Sequence, residues 1–193
     1  MLKVVAVYGS ARKKGNSAAL VERAVSFFEG RNAEIEKFYL TDMDFKPCCG
    51  CMSCNKQEKC VYEDDMSKLL LAISESDFII FGFPIYMFEA SGVFHEMINR
   101  LYPMVGGTPG RYQKRYGEHR CMLIMASGGP SALFAKVPRN IKRVFKTLGL
   151  DVIGTVGVSA RQLQDSAKEK EAACQKVDKI CTKFISSIEE TTI

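Results

Sequence analysis

No apolar run in the chain is longer than eleven residues (FIIFGFPIYMF, 78–88), well short of the ~20 that a membrane-spanning helix needs, so no membrane association is expected. The chain begins MLKVVAVYGS, without the basic stretch, long apolar segment and small-residue cleavage site of a secretory leader, and a cytoplasmic protein is expected. Low-complexity tracts, internal repeats and long linkers are absent, which leaves a single domain over residues 1–193. Histidine is scarce. His95 and His119 are the only two, neither has an obvious partner for nucleophilic catalysis, and no catalytic residue is assigned. Two nucleotide fingerprints are missing as well: there is no GxGxxG and no GxxxxGK[ST]. The net charge of +5 suits anionic ligands, but the excess is modest and unclustered along the sequence, so no nucleic-acid partner is expected.

Cysteine, by contrast, is concentrated. Five of the eight fall within 47–60, PCCGCMSCNKQEKC. In a reducing compartment structural disulfides have little use, so these sulfurs bind metal or do chemistry. Cys48, Cys51, Cys54 and Cys60 follow CX2CX2CX5C, and two successive CX2C steps suit a loop in which several thiolates converge on one inorganic core. Tetrahedral zinc can use the same four sulfurs, although zinc sites more often draw two pairs from separate knuckles. Cys49 is extra and offers a second pairing with Cys51, and metal-free, redox-sensitive thiols stay open as a third reading. Cys121 falls in an apolar strand-like run, while Cys174 and Cys181 share one helical face, where a free thiol behaves as a small hydrophobe.

Strand and helix signals alternate along the chain. Short apolar runs at 2–8, 33–40, 77–83, 121–126 and 152–158 read as strands. Between and after them, apolar residues at helical spacing mark 17–28, 64–73, 93–101, 141–148 and 177–188. Five strands alternating with helices predict an α/β domain: a doubly wound, five-stranded parallel sheet with helices on both faces. Ligands of such folds sit at the carboxyl ends of the strands, beside the switch point. The loops there read GSARKKGNS (9–17), PIYMFEASG (84–92) and SGGPSA (127–132).

The first of these opens a helix, so its backbone N–H groups and helix dipole form an anion site, with Ser10, Asn16 and Ser17 adding short polar groups and Arg12 a planar fork. The second offers Tyr86 and main chain to a flat aromatic ligand, unless Tyr86, Met87 and Phe88 only cover a core or a dimer seam. Together with the glycines after Ser127, the three loops describe a pocket for a phosphate-bearing aromatic cofactor, the pattern of FMN. The segment 103–116 (PMVGGTPGRYQKRY) is longer than a connector needs and is expected to be a Gly-rich loop reaching towards a neighbouring subunit.

The chain resembles the flavodoxin-like NAD(P)H-dependent FMN reductase superfamily, and within it the iron–sulfur flavoproteins. The resemblance rests on GSxRxxxN at 9–16, on PCxxCxxCx5CxxxDDM at 47–66, and on the PIYM turn at 84–87. It implies that Ser10, Arg12, Asn16 and Ser17 hold the FMN phosphate, and that Pro84, Ile85, Tyr86 and Met87 line the isoalloxazine ring. Ser127, Gly128 and Gly129 then contact the ring's other side. It also implies a [4Fe–4S] cluster on Cys48, Cys51, Cys54 and Cys60 that exchanges electrons with FMN. NAD(P)H or a ferredoxin-like protein would be the electron donor, and a homodimer or homotetramer the assembly. A cluster-free FMN or quinone reductase and a non-catalytic redox sensor are the alternative functions. The chain departs from these relatives at Phe88, where a small residue is usual and a bulky one narrows access to the flavin, and at His95 and Asn99, where Lys and Asp are usual.

Overall fold

Alternate residues of each strand face opposite sides of one sheet, and the apolar strand runs fill two separate cores. The computed structural model of the chain describes residues 1–108, 111–129, 135–159 and 166–190. In chain order the elements are β1 (Lys3–Tyr8), α1 (Asn16–Glu29), β2 (Glu34–Tyr39), α2 (Ser53–Gln57), α3 (Asp65–Glu75), β3 (Phe78–Tyr86), β4 (Glu89–Ala90) and α4 (Gly92–Arg100). A 3-10 turn (Tyr102–Met104) follows, then β5 (Val105–Thr108), β6 (Arg111–Lys114), β7 (His119–Ser127), α5 (Lys136–Leu148), β8 (Leu150–Ser159) and α6 (Ser166–Glu189). The long strands pair in parallel in the order β2-β1-β3-β7-β8, with β4 folded back antiparallel on β3. This is a flavodoxin-like arrangement whose switch point lies between β1 and β3.

One core buries Val5 and Val7 of β1, Ile79, Phe81 and Phe83 of β3, and Leu123 of β7 against α3, α4 and α5. The other buries Val4, Ala6 and Tyr8, Phe78 and Ile80, and Met122 and Ile124 against α1 and α6. The sheet is covered on both sides, which explains why its central strands are continuously apolar. Gly82 marks the closest approach of helix to sheet: a Cβ there would lie 2.2 Å from Cγ2 of Val21 on α1. Cys121 and Cys181 are buried as expected, and burial pushes the Cys181 thiol up to about 12.

Three features differ from the sequence reading. β3 runs on through Pro84 to Tyr86, so the loop after it shrinks to Met87 and Phe88. Proline is tolerated because β1 stops pairing with β3 at Gly82, which frees that edge of the strand before β4 takes it up. The segment 103–116 is no loop but a 3-10 turn followed by the β5–β6 hairpin, although Pro109 and Gly110 at its tip lie outside the described residues. The cations also cluster. Lys136, Arg139, Lys142, Arg143 and Lys146 are all exposed on α5, and no acidic residue shares that helix.

Candidate functional site

The ends of β1, β3 and β7, three neighbouring strands, converge on a cleft of about 520 Å³. Ser10, Arg12, Gly15, Asn16 and Ser17 line it at one end, Pro84, Ile85, Tyr86 and Met87 along a side, and Ala126, Ser127 and Gly128 opposite. The loop after β1 is built by short local bonds. Arg12 N–H donates to Ser10 Oγ at 3.1 Å, and Gly15 N–H donates to the Arg12 carbonyl at 2.9 Å. Gly15 then caps α1 without a side-chain hydrogen bond, and no acidic residue sits in the helix's first turn. The free N–H groups and positive end of the helix are therefore left for a ligand, and they suit a phosphate.

Ten of the eleven residues assigned to cofactor binding line this cleft. Gly129 does not. Its carbonyl instead accepts from Ser127 Oγ and Ser159 Oγ, both at 2.9 Å, so it fixes the loop from behind. Residues 130–132 of that loop lie outside the described residues. Phe88 is likewise not among the lining residues. Met87 and Phe88 are the two central residues of the β3–β4 turn, with φ of 48° and 66°, a left-handed pair normally built from Asn and Gly. The strained turn holds Met87 90% and Phe88 61% exposed at the mouth of the cleft. His95 on α4 is half-buried, 3.6 Å from Glu89.

Ser91 was not legible from the sequence. It is buried, and its hydroxyl donates to the Gly9 carbonyl at 2.6 Å rather than capping α4. Gly9 N–H in turn donates to the Gly82 carbonyl at 2.7 Å. A Cβ on Gly9 would lie 3.0 Å from both Phe83 and Phe94, so the glycine is required for this close approach.

At the other end of α4 lies a second cavity, of about 540 Å³, lined by Cys48, Cys49, Cys51, Cys54 and Cys60 with Tyr62, Arg100, Tyr102, Tyr112, Val144 and Leu148. The five thiols assigned from the sequence as one loop do share one cavity. Among the described residues no three His, Cys, Asp or Glu side chains are gathered closely enough to hold a metal ion. The loop is strained, with Gly50, Met52 and Glu58 all at positive φ, and it carries the short helix α2. Hydrogen bonds from Ser53 lower the Cys51 pKa, whereas burial and the nearby Cys60, Cys48 and Cys51 raise that of Cys54.

Two arginines close this loop. Arg100 is 1% exposed; it forks onto Asp64 at 2.7 and 2.8 Å and also donates to the Lys46 carbonyl. Lys46 N–H donates to the same Asp64 carboxylate at 3.1 Å, and Asp44 N–H to Asp65 at 2.8 Å, so the two chain ends flanking the cysteines are stitched together. Arg115, at the end of the β5–β6 hairpin, donates to the carbonyls of Cys54 (2.7 Å), Asn55 (3.0 Å) and Pro103 (3.1 Å). The hairpin thus packs on its own chain's cysteine loop.

A family model described as NADPH-dependent FMN reductase matches residues 2–165. The chain belongs to the NADPH-dependent FMN reductase family. It is a flavin-dependent oxidoreductase that binds FMN. An iron-sulfur flavoprotein of Archaeoglobus fulgidus is 29% identical over 96% of this chain and 81% of its own length. One of Clostridioides difficile is 25% identical over 97% and 80%. One of Methanocaldococcus jannaschii is 33% identical over 53% of each chain. Among solved structures, an azoreductase from Bacillus anthracis superposes with a TM-score of 0.75 at 20% identity, covering 95% of this chain and all of that one, which supports the flavodoxin-like fold. Among the described residues no helix is long and apolar enough to cross a membrane.

Proposed function

We propose that this oxidoreductase is an iron–sulfur flavoprotein, with FMN in the cleft over β1, β3 and β7 and a [4Fe–4S] cluster on Cys48, Cys51, Cys54 and Cys60. The observation that carries the reading is the single cavity shared by the five cysteines of 48–60, in a chain of the FMN reductase family. The relatives named as iron-sulfur flavoproteins support it, and the donor set fits: thiols in number, with a buried cation beside them. FMN supplies hydride and single-electron chemistry, and a [4Fe–4S] centre supplies single-electron exchange.

The chain's own residues bind and orient. Ser10, Asn16, Ser17 and the free N–H groups of α1 hold the phosphate, with Arg12 forking onto it. Pro84, Ile85, Tyr86 and Met87 lie along one side of the ring, and Ser127 and Gly128 along the other. Gly129 acts from behind them. The electron donor is NAD(P)H or a ferredoxin-like acidic protein. The five exposed cations of α5 support an anionic donor, because Val144 and Leu148 of the same helix line the cysteine cavity. The exposed tip of Tyr86, Met87 and Phe88 supports assembly into a homodimer or homotetramer, since apolar groups grouped at a cleft mouth mark contact surfaces.

Protein prepared without oxygen should hold one FMN, about four iron and about four sulfide per chain. Cys51→Ser or Cys54→Ser should abolish the iron and leave FMN bound, and Cys49→Ser should be tolerated. Loss of iron in Cys49→Ser with retention in Cys48→Ser shifts the ligand set by one. FMN without iron leaves a cluster-free NAD(P)H-dependent reductase or a thiol sensor. The exposed Cys48, Cys49 and Cys51, the last with a lowered pKa, favour those readings in that event. A monomeric mass with FMN bound rules out the oligomer.

A further inference from the structure

We propose that Arg100 is a positioning residue of the cysteine cavity, its Nε–H donating to an anionic sulfur there, so that the cavity is built for a negatively charged, thiolate-held group. The proposal rests on the cluster reading above and adds a residue to its site.

A guanidinium carries five N–H donors and no acceptor. The Nη atoms of Arg100 serve the Lys46 carbonyl and both oxygens of Asp64. Its Nε is buried with no hydrogen-bond partner. At 1% exposure the side chain is shielded from bulk water, and a charged donor left unmet in a protein interior is rare. Arg100 lines the cavity and lies beside Cys60, while the Tyr62 ring sits 5.2 Å from its guanidinium carbon. A neutral thiol is a weak acceptor and a thiolate a strong one. A metal-bound thiolate beside the spare donor would match it better than the neutral thiol does.

A purely structural role is the competing account. Clamping Lys46 to Asp64 needs only the Nη groups, so it leaves the Nε–H unexplained. The two accounts part company at the potential of the centre: a lost clamp loosens the loop, whereas a lost donor to a ligand sulfur also lowers the potential. Arg100→Lys retains a cation opposite Asp64 and loses the planar fork.

Native and Arg100→Lys protein are reconstituted without oxygen using Fe²⁺ and sulfide. Iron loss to a chelator and the midpoint potential of the centre are then measured, with FMN content and metal-free Tm as readouts of the fold. A donor to a ligand sulfur tightens the site and stabilises the more negative, reduced state. The variant should therefore lose iron on the order of tenfold faster or more and show a lower potential, with FMN retained. An unchanged potential in a folded variant, with or without faster iron loss, overturns the proposal and leaves the cluster intact. If native protein takes up no iron and sulfide, the cluster reading falls and the proposal with it, and the native arm alone reveals that. Should Arg100→Lys fail to fold, the neutral pair Asp64→Asn with Arg100→Gln is measured in the same way and judged by the same outcomes.

Discussion

Replacing Asp64 with alanine should cost about 4 kcal/mol of stability, an unusually large effect for a residue at the start of a surface helix. The Asp64 side chain does three things at once. It neutralises Arg100, caps α3 by accepting from Met66 N–H at 3.2 Å, and binds Lys46 N–H across the base of the cysteine loop. Side-chain exposures of 1% for Arg100 and 14% for Asp64 place the pair among buried ion pairs rather than surface ones. Removing one partner of a buried pair leaves an uncompensated charge and costs about 3–5 kcal/mol, and losing an N-cap costs ~1 kcal/mol. The two contributions overlap because one carboxylate makes both, which brings the expectation to about 4 kcal/mol. Denaturant unfolding of metal-free, FMN-free protein is the assay, because bound ligands would mask the loss. Glu75→Ala on the same helix, whose ion pair with Lys3 leaves both side chains about half exposed, serves as the control and should change little. A cost below ~1 kcal/mol for Asp64→Ala would refute the reasoning, since the pair would then behave as a surface salt bridge.

The same carboxylate predicts an acid response. Burial alone pushes the Asp64 pKa up, but the hydrogen bonds and charge of Arg100, with the N–H groups of Lys46 and Met66, outweigh it and hold the pKa below the ordinary value. A group depressed in the folded state stabilises fully above its unfolded pKa, about 3.9 for Asp, and loses that contribution as pH falls through its folded value. Native stability should therefore drop below about pH 4, and Asp64→Asn should flatten that part of the curve.

Two further outcomes follow from local geometry. Gly82→Ala should destabilise by about 1–3 kcal/mol, read as a lowered Tm, because its Cβ would meet Val21 Cγ2 at 2.2 Å and the sheet backbone cannot retreat. An unchanged Tm would mean that α1 shifts freely on the sheet. Arg12→Ala should weaken FMN binding on the order of tenfold or more, as expected for a lost charge-assisted hydrogen bond to phosphate, and fluorescence titration reads it directly. Unchanged affinity would remove Arg12 from the site.

The parts legible in the sequence are those carried by local pattern. The runs at 2–8, 77–83 and 121–126 became three adjacent central strands because their burial on both faces writes itself as uninterrupted apolar residues. The Gly-Ser loop at 9–17 could be placed at the ligand end as soon as the strand before it was recognised. Contacts across long sequence separations left no such trace. Arg100 and Asp64 are 36 residues apart, and Ser91 and Gly9 are 82 apart. Nothing in an NRLYP or EASGV string marks either residue as a clamp. Gly106, Gly107 and Pro109 read as breakers although the first two lie in a hairpin strand. The α5 cations looked scattered because they are spaced along the chain, and only helical winding sets them on one exposed face.

α4 connects the two cavities as a strut, and its two ends can be tested separately. Its nine residues span about 13 Å, from Ser91 beside the cleft over β1, β3 and β7 to Arg100 at the cysteine cavity. Each end is fixed by a buried polar side chain acting on backbone at the base of a neighbouring loop: Ser91 on the Gly9 carbonyl, Arg100 on the Lys46 carbonyl. Phe94 and Met97 bury the middle of the helix, so it cannot slide to relieve a change at one end. Ser91→Ala leaves the Gly9 carbonyl buried without its donor, at a cost of about 1–3 kcal/mol. Because Gly9 leads directly into Ser10 and the phosphate loop, part of that cost should appear as weaker FMN binding. The stitching of Lys46 to Asp64 should be untouched, so protease sensitivity across 47–63 should match the native protein. If Ser91→Ala left FMN affinity unchanged and loosened the cysteine loop instead, the two ends would be mechanically coupled through α4 and the picture of a rigid strut would fail.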